Sequence, residues 1–384
     1  MKYCVVGAGH MGYALAYDLS RSPGVDSVTV ADRDLSRAVD VCGAIGSPLL
    51  IPAETDAFDA HAVRKLFEGH DCVIGAVSYR ANVILSRGAL ETGVHFLDLG
   101  GNDEILRQQI ALNNEAEKKN ILIVPNCGLA PGFVNSIAVQ TALAYDMPET
   151  VAIRVGGLPL RPLPPLNYQI VFSAEGLLNE YSGHCSVVRD GVRTEVPALS
   201  EPEEISFPEP FEALEAFHTS GGASLVPELL EGKVRHFDYK TIRYKGHRDK
   251  FKELLTAGFG ESDPIVIGRS TMTMREMFIE MLKRKLPAVG EDVVLIRITV
   301  EGILHGKRVR TTYQCVDSYD VNANITAMMR TTAFPTSIFA QLVTGGQIPE
   351  RGVRTPEQCV PLLPFIEEME KRNIRIHQTK EEIA

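Results

Sequence analysis

Along the first third of the chain, two hydrophobic periods succeed one another. Short apolar runs rich in β-branched residues, at 2–6, 27–31, 48–52, 72–77, 94–98 and 121–124, predict strands. Between and after them, stretches at 13–19, 35–44, 57–67, 82–92, 105–119 and 133–144 read as helices. Strands taken by turns with helices predict a parallel sheet covered on both faces. From about residue 150 the grammar changes. Segments at 151–155, 169–172, 185–189, 240–244, 293–304 and 308–317 mostly run polar and apolar by turns, which predicts a largely antiparallel sheet with one wet face. The stretch 156–165 holds too many prolines for a helix or a central strand, and the acidic, proline-rich 200–210 reads as a surface loop. Helical patterns return at 324–329 and 335–343, closed by Gly345 and Gly346, and a last helix is expected at 361–371. Residues beyond His377 are expected to be disordered. The pattern gives an α/β fold: a first domain over 1–126, an inserted mixed, largely antiparallel α+β domain over 127–320, and helices over 321–384 that return to the first domain. No internal repeat or low-complexity block interrupts it.

The most specific local signal is the first turn. Gly7-Ala8-Gly9-His10-Met11-Gly12 lies between the first strand and the first helix and matches G-x-G-x-x-G. Gly7 makes the tight turn, Gly9 lets the backbone approach a pyrophosphate, and Gly12 lets helix and strand pack closely. The helix N-terminus behind it offers free N–H groups to phosphates, and His10 and Met11 stand at its opening. The second strand ends at Asp32, at the distance expected of a carboxylate that bonds a ribose diol. The neighbouring Arg33 is of the type that accepts a 2′-phosphate, so NAD is favoured while NADP stays open. The first domain is therefore expected to be a Rossmann-type parallel sheet. Ligands in such sheets bind at the carboxyl ends of the strands, which adds Asp56 after the third strand, Ala76, Val77, Ser78 and Tyr79 after the fourth, Asp98 after the fifth and Cys127 after the sixth. For Asp56 a helix cap is an equally good reading.

Composition narrows the function further. With 39 Lys and Arg against 49 Asp and Glu, the formal net charge is −10, and no basic run is present, which argues against nucleic acid as a partner. No apolar stretch approaches the length of a membrane span, and the first strand begins at residue 2, where a signal peptide would stand. The seven cysteines, at 4, 42, 72, 127, 185, 315 and 359, form no C-x-x-C pair and mostly lie in apolar runs. They read as thiols of a reducing cytoplasm. The histidines are scattered without metal-ligand spacing, so no metal is expected.

Three stretches carry a family resemblance. NCGLAPG at 126–132, GGLPLRPLPPLNYQIVFSAEGLLNEY at 156–181, and FHTSGGASLVPE at 217–228 with KTIRYKGH at 240–247 resemble the lysine 6-dehydrogenase branch of the saccharopine dehydrogenase-like family. The resemblance runs from the glycine turn to about Thr331. It implies a homodimer whose inserted domain shapes the substrate pocket, and oxidation of the ε-carbon of L-lysine by NAD to give ammonia and an aldehyde that cyclises to a piperideine carboxylate. It leaves two other readings open: a reductive amine–aldehyde coupling enzyme of the saccharopine reductase or carboxynorspermidine dehydrogenase type, using NADPH through Arg33, and a non-catalytic NAD(P)-binding regulator.

Amine oxidation makes demands that residues must meet. Lysine's ε-ammonium, with a pKa of ~10.4, cannot release hydride until it loses a proton, so a base or a dry pocket is required. His218 in FHTSGG is the first candidate for acid/base work because histidine titrates near working pH; the alternative is a histidine bonded within its own loop. Asp98 is the second candidate, as base or as ammonium partner, unless it only caps its turn. The substrate carboxylate calls for a cation, ideally a bidentate arginine, and Arg243 is the candidate. Lys240 shares its face only if the strand is bulged. Thr219 is placed to hold water or substrate by its hydroxyl, Asn167 and Tyr168 to wall the pocket, and Tyr79 to stack near the nicotinamide ribose. Glu175 and Glu180 read equally well as a solvated helix face, and His184 and His247 carry no assignment.

Overall fold

The opening turn forms as its sequence predicts. In the computed structural model, which describes residues 1–268, 270–286 and 290–384, β1 (Lys2–Val6) turns through the glycines into α1 (His10–Leu19). There follow β2 (Ser27–Asp32), α2 (Leu35–Ile45), β3 (Leu50–Glu54), α3 (Ala60–Phe67), β4 (Cys72–Gly75), α4 (Asn82–Thr92), β5 (His95–Asp98), α5 (Asp103–Ile110), α6 (Asn113–Lys118), β6 (Leu122–Val124) and α7 (Val134–Leu143). The strands pair in parallel in the order β6-β5-β4-β1-β2-β3. That is the doubly wound dinucleotide-binding order, with its switch point between β1 and β4. Local chemistry sets the helix ends. Asp34 caps α2 by accepting the Ser36 amide at 3.0 Å, and α3 starts at Ala60 rather than at 57 because Asp59 caps it. The expected helix over 105–119 divides at Ala111 and Leu112. One face of the sheet buries Cys4, Val6, Val73, Phe96 and Ile123 against Val63 and Phe67 of α3 and Leu85 and Ala89 of α4.

The second half opens with β7 (Met147–Pro159), which runs through the paired glycines and ends at Pro159, where the lost donor does no harm. A Cβ at Gly156 would stand 2.5 Å from the Ile242 carbonyl oxygen, so glycine lets β7 approach its neighbour. Then come α8 (Ala174–Glu180), β8 (His184–Arg189), β9 (Val192–Pro197), β10 (Glu203–Ile205), β11 (Leu214–His218), α9 (Val226–Leu230), β12 (His236–Tyr244), α10 (His247–Leu254), the hairpin β13 (Pro264–Ile267) and β14 (Ser270–Thr273), α11 (Met274–Lys285), β15 (Asp292–Leu304) and β16 (Lys307–Ser318). The chain ends with α12 (Ala327–Thr344), β17 (Gly352–Val353), α13 (Pro356–Cys359), α14 (Leu362–Lys371) and β18 (His377–Glu382). The main sheet runs β10-β11-β12-β7-β15-β16-β18, with β8 and β9 attached beside β12. β12 and β7 are parallel and the other pairs antiparallel, so the sheet is mixed.

Several expectations on elements need correction. Residues 156–159 continue β7 in the middle of the sheet, where too many prolines for a central strand were read, and residues 203–205 form the edge strand β10 within the expected surface loop. Residues 169–172 form no strand. α12 is one helix with Pro335 inside it, where two were expected. Residues 377–382 are not disordered; they pair antiparallel with Val309–Gln314 of β16. The chain divides into one unit of Met1–Gln140 with Met329–Ile374 and another of Thr141–Met328 with Arg375–Ala384. The division falls beyond residue 126 because α7 belongs largely to the first unit, where Gln140 donates to the Glu357 carbonyl at 2.9 Å. The first unit is thus discontinuous, and β17 extends its sheet beside β6.

Candidate functional site

The first unit gathers its chemistry at the carboxyl ends of its strands. Gly12 and Gly7 are in contact: a Cβ at Gly12 would stand 1.8 Å from the Gly7 carbonyl oxygen, and one at Gly7 would meet the Ala76 oxygen at 2.5 Å. Among the described residues, nothing beyond its own chain neighbours lies within 4 Å of a Cβ built on Gly9, so that position is open to a ligand. α1 carries no side-chain cap and no acid in its first turn, which leaves its first amides for an anion. Asp32 accepts the Ala8 amide at 2.9 Å on one carboxylate oxygen and the Asp34 amide at 3.1 Å on the other, with lone pairs left for a diol. These residues fit a dinucleotide: turn amides for the pyrophosphate and Asp32 for the ribose. His10 and Met11 sit at the mouth of the turn, and Ala76, Val77, Ser78 and Tyr79 leave β4 beside Gly7, with Tyr79 packed on Gly101. Arg33 is exposed next to Asp32.

Three members of this edge have other work. Asp56 is exposed and accepts the Phe58 amide at 2.9 Å, a local turn. Cys127 is buried, with its thiol donating to the Val124 carbonyl at 3.1 Å and its titration pushed well up by burial, so its side chain is engaged within the protein. Asp98 is fully buried. It accepts the Gly100 amide at 2.7 Å, the Asn126 amide at 3.3 Å and the Gln109 side-chain amide at 2.6 Å. Burial pushes its carboxyl up to about 6, with those hydrogen bonds pulling the other way. An acid so occupied ties two loops together, and the expected base or ammonium partner is not free in this geometry.

In the second unit, β12 decides what meets what. Its register against β11 and β7 is unbroken, so residues an odd number apart face opposite sides. Thr241 and Arg243 point one way, and Lys240 the other. On the Arg243 face, Thr219 and Thr241 share a hydrogen bond of 2.6 Å, and Tyr168, Tyr181, Phe217 and Phe251 form the wall. Arg243 is almost wholly buried. Its Nε donates to the Tyr181 hydroxyl at 2.8 Å, one terminal nitrogen donates to the Ile242 carbonyl at 2.9 Å, and the carboxylate of Glu180 stands 4.0 Å from the other. Glu215, its neighbour across the ladder, is turned to the Arg248 amide at 2.8 Å. A guanidinium has five donors, so Arg243 holds donors in reserve, and among the described residues no carboxylate stands in hydrogen-bond range of it. The Tyr168 and Tyr181 rings lie 5.0 and 5.8 Å from its central carbon.

A directed chain holds this arginine. The Leu166 carbonyl can only accept, so His247 carries its proton on Nδ1, which donates at 2.7 Å. Its bare Nε2 then accepts the Tyr181 hydroxyl at 2.9 Å, which leaves the tyrosine oxygen to receive Arg243. Burial first, and the Arg243 charge second, lower His247 to about 3, so the chain stays neutral. Burial raises Glu180 to about 7 against the pull of Arg243, an effect tempered by water, since 32% of the side chain remains accessible.

The opposite face carries another set. His218 is fully buried, its Nε2 3.2 Å from Glu201 and its Nδ1 3.2 Å from the Tyr239 carbonyl. Burial lowers its titration, with Glu201 opposing. Lys240 donates to Glu203 at 2.8 Å, and Arg154 joins Glu203 to Asp238. His218 and Lys240 therefore belong to a satisfied ion network and do not share a pocket with Arg243. Asn167 also parts from Tyr168: it lines a cavity of about 530 Å³ with Leu160, Arg161, Tyr244 and Lys245. The structure brings together Arg243, Tyr168 and Thr219 of the expected set, and adds Glu180, Tyr181 and His247. Their signal was present as the junction of two polar blocks, the end of 156–181 and the end of 240–247, but Glu180 read equally well as a solvated face and His247 carried no assignment.

A glycine-turn sheet in doubly wound order, joined to a mixed-sheet unit with a buried arginine, defines a two-unit NAD(P)-binding oxidoreductase. The chain matches the saccharopine dehydrogenase NADP binding domain over residues 3–124 and the saccharopine dehydrogenase C-terminal domain over 128–374. It belongs to the saccharopine dehydrogenase family. It is 24% identical over 219 residues to a carboxyaminopropylagmatine dehydrogenase of Synechocystis, a match that covers 54% of each protein. Its fold is that of yeast saccharopine dehydrogenase (L-Glu forming), with a TM-score of 0.81 at 18% identity over 100% of both chains. A homospermidine synthase of Legionella pneumophila solved with NAD gives 0.69 at 11% identity, covering 100% of this chain and 92% of that one. Among the described residues no group of His, Cys, Asp and Glu is placed to hold a metal, and no helix is long and apolar enough to cross a membrane.

Proposed function

We propose that the protein is an NAD-dependent dehydrogenase of an amino acid's side-chain amine. It converts L-lysine, NAD and water to allysine, which cyclises to piperideine-6-carboxylate, with release of ammonia and NADH. The observation that carries the reading is Arg243, a buried cation with unused donors, which suits a substrate carboxylate. The resemblance of the 156–181, 217–228 and 240–247 blocks supplies lysine in particular. A bound nicotinamide would take the hydride from the carbon that bears the amine. Asp32 would bond the adenosine ribose, and the Gly7–Gly12 turn the pyrophosphate. Asp34 beside Asp32 makes the position unwelcoming to a 2′-phosphate, which supports NAD. Arg243 would orient the substrate through its carboxylate, with Thr219, Thr241 and Tyr168 bounding the space. The protein is read as acting in the cytoplasm as a homodimer.

A second reading, reductive coupling of an amine to an aldehyde with NADPH, is favoured by the match to carboxyaminopropylagmatine dehydrogenase and by the exposed Arg33. Purified protein incubated with L-lysine and NAD, and in parallel with amine and aldehyde pairs and NADPH, separates the two by the absorbance of the reduced cofactor. Appearance of NADH with lysine supports the first, and consumption of NADPH without lysine turnover overturns it.

A further inference from the structure

Glu180 is the last residue of α8, where the helix dipole disfavours an anion. Its place is nonetheless fixed. The Ser220 amide donates to its main-chain carbonyl at 2.9 Å, and the Ser220 hydroxyl to the Asn179 carbonyl at 3.0 Å, which ties the helix end to the loop after β11. The carboxylate faces Arg243 at 4.0 Å, too far for a hydrogen bond, and among the described residues no other cation lies within ion-pair distance of it. Tyr168, Tyr181 and Tyr239 stand around the pair. The two opposite charges stand 4.0 Å apart within a wall of tyrosines and share no hydrogen bond, so each keeps capacity for a ligand that brings the complementary charge.

We propose that Arg243 and Glu180 form a clamp for an α-amino acid head group, with Arg243 receiving the carboxylate and Glu180 the α-ammonium. The proposal rests on Arg243 as carboxylate anchor and adds the second charge. An anion alone would leave Glu180 unpaired beside a new negative charge, and a diamine would set a cation against Arg243; the zwitterion compensates both. The clamp therefore selects amino acids over polyamines and over simple carboxylates.

Isothermal titration of the full chain with L-lysine, 6-aminohexanoate, which lacks the α-amino group, and cadaverine, which lacks the carboxylate, tests it. Lysine is expected to bind about 10- to 100-fold more tightly than either analogue, the worth of one charge-assisted hydrogen bond. Glu180→Gln should weaken lysine by a similar factor, leave 6-aminohexanoate unchanged and keep the melting temperature. Equal affinity for lysine and 6-aminohexanoate, equal losses on both in the variant, or no lysine binding at all overturns the clamp. Arg243→Ala separates the underlying reading: if it weakens cadaverine as much as lysine, Arg243 is not the carboxylate anchor, whatever Glu180 does.

Discussion

Arg243 keeps its orientation through neutral partners, and this has measurable consequences. Tyr181→Phe removes the acceptor of its Nε–H and leaves a buried donor of a charged group without a partner, which costs about 1–3 kcal/mol of stability. The KM for a carboxylate-bearing substrate should rise more than kcat falls, because the arginine is misplaced while the reacting carbon is untouched; an unchanged KM speaks against the positioning role. Two titrations follow from shifts in opposite directions, and both effects grow as pH rises. His247 is lowered in the fold from 6.5 to about 3, so the unfolded chain takes up the proton first. Its contribution is present above about 6.5 and is lost as pH falls toward 3. Melting temperatures measured across that window should fall less steeply in His247→Gln. Glu180, raised to about 7, holds an ammonium only as carboxylate, so amino acid affinity should increase as pH rises through 7 and become flat in Glu180→Gln. At this scale the sequence was half legible. Arg243 was legible as the arginine of the KTIRYKGH block, the residue type suited to a carboxylate. The separation of Lys240 from it followed from their odd spacing, but the burial of His218 and Asp98 did not, because a strand-end acid that binds a ligand and one that ties loops have the same spelling.

The glycine turn distinguishes packing from binding within one element. A Cβ at Gly12 would overlap the Gly7 carbonyl oxygen at 1.8 Å, so Gly12→Ala must displace α1 from β1 and lower stability as well as dinucleotide affinity. Gly9 has open space in the same test, so Gly9→Ala should melt like the parent and yet bind NAD more weakly, since the methyl stands where the pyrophosphate approaches. Thermal melts and NAD titrations of the two variants should therefore dissociate; a Gly9→Ala protein with full affinity would show that no phosphate rests there. The elements of this unit were readable because strand, turn, helix and acid each repeat a known period. Errors arose where a local group overrode the period: Asp59 capping α3 three residues late, Ala111 dividing a helical stretch, and Pro335 tolerated inside α12.

At the scale of the molecule, the chain returns twice, once through α12 to the first unit and again through β18 to the second. The first return was foreseeable from an apolar helical pattern after the last expected strand. The second was not, because His377–Glu382 is polar throughout and every residue is exposed, which reads as a tail. Its strand state comes from the partner: six backbone positions of β16, Val309 to Gln314, lie along it, and Gln378 donates to the Tyr313 hydroxyl at 2.8 Å. Its flanking ion pairs, Lys307 with Glu382 and Arg310 with Glu381, are exposed and worth little. A strand that buries so little apolar surface contributes modestly to stability, yet it covers an edge on which Val309 and Tyr313 are buried, and a bared edge is a template for another chain. Deleting residues 377–384, which spares the buried Ile374 and Ile376, should lower the melting temperature of the second unit by only about 2–4 °C, the shift that ~1 kcal/mol gives in a domain of roughly 150–250 residues. The same deletion should make the protein associate with rising concentration in light scattering. A large drop in melting temperature without association would mean that β18 acts as core, and that the charge of its HQTKEE sequence has no part in keeping the sheet edge to itself.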